Sequence, residues 1–99
     1  MHALRQVAVQ VRAMSRKARF DLLPWRALTA VARVLAFGAD KYPPAHWRTV
    51  SDDDHFAAAM RHLSAWWLRD YDDAESGESH LAHALARVAF LLEREEAGR

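Results

Sequence analysis

The 99-residue sequence has no cysteine, only three glycines and three prolines, and no apolar run near the roughly 20 residues of a membrane span. Without cysteine there is no disulfide framework, no thiolate metal site and no cysteine nucleophile, and a reducing, cytosolic setting is expected. Scarce glycine and proline, beside a 52% hydrophobic and 27% charged composition, argue against a disordered chain. The opening MHALRQVAVQVRAM lacks the continuous apolar stretch of a signal peptide, so no membrane partner is expected. A chain of this length supports one core and one domain, residues 1–99, with 1–18 as a peripheral helix or arm.

The net charge of +1 conceals an asymmetry: nine Lys/Arg face two acids in residues 1–50, and five face eleven in residues 51–99. Basic groups grip phosphate and carboxylates grip metal ions, so this split suits a site for a polyanion held through metal. It equally describes an ordinary solubilised surface. The basic cluster Arg12, Arg16, Lys17 and Arg19 offers a phosphate contact for nucleic acid, though nucleic acid is not the expected partner.

Pro24, Gly38, Pro43-Pro44 and Ser76-Gly77 divide the chain into about four helices. The first spans Ala3 to Met14, with Leu4, Val7, Val11 and Met14 at helical spacing, although Val7, Val9 and Val11 also alternate as a strand would. The second runs from Pro24 to Phe37 on a Leu28, Val31, Leu35 stripe and stops at Gly38. Ser51 caps the third, which buries Phe56, Met60, Leu63 and Trp67 and ends near Arg69. Ser79 caps the fourth, which aligns Leu81, Leu85, Val88 and Leu92 before the charged EREEAGR tail. The pattern predicts an all-α bundle, packing with a second copy of itself, with Trp25 and Trp67 in the core.

Helical spacing puts His62, Trp66 and Asp70 on one face of the third helix and His80, His83 and Arg87 on one face of the fourth. Asp72, Asp73 and Glu75 lie in the connection between them. Such a set of imidazoles and carboxylates can hold Mg²⁺ or Mn²⁺; it can also be plain helix-boundary polarity. The His-x-x-His spacing is not that of a zinc protease, which needs i, i+4 histidines with an adjacent glutamate. In GADKYPPAHWR, Lys41 and Arg48 can meet phosphates while Tyr42 or Trp47 stacks on a base, or the two rings simply seal the bundle end.

The ordered strings RFDLLPWRAL, VARVLAFGADKY, HWR, RHLSAWW, DAESGESHLAHAL and FLLE, from Arg19 to Glu93, resemble the phage and bacterial dATP/dGTP diphosphohydrolases. That family is related to the MazG-like all-α nucleotide pyrophosphohydrolases. The resemblance implies metal-dependent hydrolysis of a purine deoxynucleoside triphosphate to monophosphate and pyrophosphate. It implies Asp70, Asp73, Glu75 and His80 as metal ligands, His62, Asp70 and His83 as catalytic groups, and Lys41, Tyr42, Trp47, Arg48 and Arg87 as substrate contacts. The chain departs from the family pattern at Thr29-Ala30, His46, Arg69-Asp70, Glu78-Ser79 and Arg87. A nucleotide-binding or structural module with weakened catalysis is the alternative.

Overall fold

Capping and stop residues set the helix boundaries in the computed structural model, which describes residues 16–99. Three α-helices are present among them: α1, Trp25–Lys41; α2, Asp52–Trp67; and α3, His80–Ala97. The helix expected over Ala3 to Met14 lies outside the described residues. Two short 3₁₀ turns, Phe20–Leu22 and His46–Thr49, precede α1 and α2 respectively. No strand forms among the described residues, where a single antiparallel bridge joins Asp72 to Ser79.

Ser51 caps α2 by accepting the Asp54 amide at 3.1 Å, and Asp52, Asp53 and Asp54 fill the first turn, where acids complement the helix dipole. Ser79 likewise accepts the Leu81 amide at 3.1 Å and opens α3. Gly38 does not end α1, which runs one turn further to Lys41. The stop comes instead from Pro43, because a residue before proline is driven out of the helical region; Tyr42 is extended at φ −129°, ψ 155°. The helix α2 closes at Trp67, with Arg69 left-handed at φ 70°, and α3 continues through the charged tail to Ala97.

Small side chains make the interior. Val31 and Val34 of α1 pack on Ala82 and Ala86 of α3, while Ala58, Ala59 and Ala84 are buried between the other helix faces. The large stripes expected inside are not inside. Phe56 is 60% exposed and Trp67 77% exposed, and Met60, Leu63, Leu81, Leu85, Val88 and Leu92 are exposed as well. Trp25 and Leu35 are also exposed, so neither Trp25 nor Trp67 belongs to the core. The helices close on their alanine faces because small residues allow near approach of the backbones, which turns the bulky stripes outward.

The turn entering α2 is tied to the end of α3 by one guanidinium. Arg94 donates to the carbonyls of Trp47 at 2.8 Å and Val50, and pairs with Asp52. Trp47 in turn stacks on Phe90 of α3, with ring centroids 4.8 Å apart. Replacing Arg94 by Met strands half-buried carbonyls, and a loss of about 2 kcal/mol is expected in urea denaturation. Arg94→Lys should recover only part of it, since an ammonium cannot fork across the same acceptors.

Candidate functional site

Closure of α2 on α3 brings the histidines of the two helices into ring contact. His62 of α2 and His80 of α3 face each other with Nδ1 atoms 2.8 Å apart, so one nitrogen carries the proton and the other accepts it. His62 also stacks on His83, with centroids 4.6 Å apart and planes 13° from parallel. From the connection comes Asp73, and one donor atom each from His62, Asp73 and His80 fall within 4.8 Å of one another. Two imidazole nitrogens and a carboxylate oxygen at this spacing suit a divalent first-row ion.

The connection is built to present Asp73. Its Oδ1 accepts the amides of Glu75 at 3.0 Å and Ser76 at 2.9 Å, and its own amide donates to the Glu78 carbonyl at 2.8 Å. Gly77 completes the turn at φ 75°, a conformation that a side chain resists. Burial would raise the Asp73 carboxyl, but the Ser76 amide, His83 and the Glu75 amide outweigh it and hold it below the usual range. His83 Nε2 lies 2.6 Å from Ser76 Oγ and 4.0 Å from Asp73.

The other residues expected at the site divide in two. Asp70 stands 3.6 Å from His80 Nε2, on the ring edge opposite the one that meets His62, where a carboxylate steadies the imidazole. Glu75 lies outside the three-residue group and pairs with Lys41 of α1 at 2.5 Å. Lys41, Tyr42, Trp47 and Arg87 all line one cleft of about 660 Å³ between α1 and the α2–α3 pair, whose wall also carries His62, Asp73 and His83. Arg48 instead sits over the Trp47 ring at 5.1 Å and is not part of the lining.

Sequence reasoning missed Asp54, Arg61 and His55. Asp54 and Arg61 face the cleft, and the signal for them was the i, i+7 spacing that puts both on one side of α2. His55 is 0% exposed, and its place between the acidic first turn and Phe56 gave no sign of its partners. Burial and then Arg61 press the Arg87 guanidinium below its ordinary value, though it keeps its charge.

Burial first, and then His83 and His80, push the His62 imidazole down to about 4, and burial moves His83 in the same direction. An unfolded histidine takes its proton near 6.5, so between about pH 6.5 and 4 the unfolded chain binds more protons than the folded one. Stability therefore falls as pH drops through that window. In EDTA, thermal melts at pH 5 should show a lower Tm than at pH 7.5, and His62→Gln should shrink the difference. An unchanged pH dependence in the variant would contradict this assignment.

Comparison with known proteins follows the same outline. Residues 7–99 match the N-terminal domain family of the dATP/dGTP diphosphohydrolases. A dATP/dGTP diphosphohydrolase of Salmonella phage PMBT28 is 38% identical over 77 residues, covering 77% of this chain and 26% of that relative. The chain thus spans about a quarter of the length of the curated relative it matches. No solved structure matches. With the family matched over nearly the whole chain, the protein belongs to the dATP/dGTP diphosphohydrolases, whose N-terminal domain it carries.

Proposed function

We propose that the cleft binds a purine deoxynucleoside triphosphate, dATP or dGTP, and serves its hydrolysis to the monophosphate and pyrophosphate with Mg²⁺ or Mn²⁺. The supporting observation is the lining: Lys41, Arg61 and Arg87 share one cleft with His62 and Asp73 of the donor group and with the aromatic residues Tyr42 and Trp47. Water adds to the α-phosphorus, the bond to the β-phosphate oxygen breaks, and pyrophosphate leaves. His62, Asp73 and His80 would hold the ion, which supplies Lewis acidity toward phosphate oxygens when bound.

The chain's own groups do the rest on this reading. Lys41, Arg61 and Arg87 neutralise the phosphates, and Lys41 leaves Glu75 for a phosphate oxygen, freeing that carboxylate for the donor group. His83, neutral at pH 7, is the base beside the reacting phosphorus, while His62 stays with the ion and Asp70 steadies His80. Tyr42, which stacks on His46 at 4.5 Å, and Trp47 provide flat surfaces for the purine, with Arg48 supporting Trp47. The setting is the cytosol of a bacterium or a phage-infected host.

Titration with each dNTP in Mn²⁺ or Mg²⁺, followed by a pyrophosphate assay, tests this. dATP and dGTP should bind in preference to pyrimidine nucleotides and release pyrophosphate. Asp73→Asn keeps an oxygen for the turn amides but loses the charge, so metal affinity should fall at least about tenfold with little loss of stability. Purine nucleotide binding without turnover would select the binding-module reading, motivated by the residues at Thr29, Ala30 and Arg87. Absence of nucleotide affinity would overturn both.

We also propose that a second copy of the chain covers the outward stripes of α2 and α3. None of Phe56, Met60, Leu63 and Trp67 lines the cleft, and leaving such side chains in water forgoes about 1.5–3 kcal/mol each. Sedimentation should show a dimer or larger assembly, and Met60→Glu with Leu85→Glu should yield monomer. A monomeric wild-type chain at micromolar concentration would remove the proposal.

A further inference from the structure

His55 is the largest fully buried side chain among the described residues. A fully buried imidazole is costly unless both ring nitrogens find partners. Both do. Nε2 lies 2.9 Å from the Trp47 carbonyl, which can only accept, so this nitrogen carries the proton and donates. Nδ1 lies 3.1 Å from Nη1 of Arg87, which can only donate, so this nitrogen accepts. The partners fix one neutral tautomer without reference to any observed hydrogen.

The anchor end of this link is rigid. The Trp47 carbonyl also accepts Arg94 Nη2 at 2.8 Å, and the His55 ring tilts against Phe90 at 5.3 Å, the same ring on which Trp47 stacks. The other end is the Arg87 guanidinium in the cleft wall, where Arg61 repels it. A carboxylate in the position of His55 would hold Arg87 equally well and cancel its charge. A neutral imidazole acceptor orients the guanidinium, leaves its full positive charge, and uses one of its five N–H groups.

Resting on the reading of the cleft as a nucleotide site, we infer that His55 is a positioning residue that aims Arg87 at the substrate's phosphates without neutralising it. Through the Trp47 carbonyl it also fixes Arg87 relative to the turn that carries the base-side ring. His55 touches neither substrate nor metal ligands.

Two substitutions separate its two bonds. His55→Asn keeps an oxygen near the place of Nδ1 and so can still accept from Arg87; His55→Gln keeps an amide near the place of Nε2 and so can still donate to Trp47. Affinities for dGTP and for inorganic tripolyphosphate are measured on the full chain, with urea denaturation of every variant. His55→Gln should weaken both ligands about tenfold, and His55→Asn should restore affinity to within about threefold of wild type. In an Arg87→Met background the His55→Gln change should add almost nothing, a non-additivity expected only for a pair acting as a unit. Equal losses from both His55 variants, losses that track stability, or additivity with Arg87→Met would overturn the inference while leaving the nucleotide site intact. A wild-type chain that binds neither ligand would remove the site and the inference together.

Discussion

Everything in this fold follows from how closely α2 and α3 approach. Ala58, Ala59 and Ala84 keep the two backbones near enough for His62 to meet His80 and His83 ring to ring. A leucine at any of these positions would separate the helices and pull the nitrogens apart. The seam is thus a spacer for chemistry as much as a core. Its small side chains bury little apolar area, and stability leans on polar stitching such as the Arg94 fork and the amide cradle of Asp73.

Two of the helix starts were readable from single residues. Ser51 and Ser79 cap where their spacing put them, and the convergence of His62, Asp73 and His80 was implicit in helical periodicity combined with a short connection. The interior was misread for a physical reason. Hydrophobic periodicity weighs bulk, so it selected Phe56, Met60, Leu63 and Trp67, whereas packing within one chain chose the alanines on the adjoining face. Gly38 misled in a similar way: glycine permits a helix to end but does not compel it, and the compulsion lay in Pro43.

The polar site was legible in membership and illegible in partnership. Spacing put Glu75, Asp70 and Asp73 on equal footing, yet only Asp73 joins the two imidazoles, because the turn at Gly77 aims it there. Glu75 is held by Lys41 from α1, 34 residues earlier in the chain and beyond anything periodicity describes. His55 shows the same limit. A single histidine near the start of a helix carries no signature of what it bonds to until the 3₁₀ turn and α3 are folded around it.

The attachment of α1 has a mechanical side. It meets α3 through four small side chains, Val31, Val34, Ala82 and Ala86, and meets the connection through two solvent-facing ion pairs, Arg33 with Glu78 and Lys41 with Glu75. Surface ion pairs contribute little and weaken with salt. The side of the cleft that carries Phe37, Lys41 and Tyr42 is therefore held by less than the histidine side, which rests on the seam between α2 and α3.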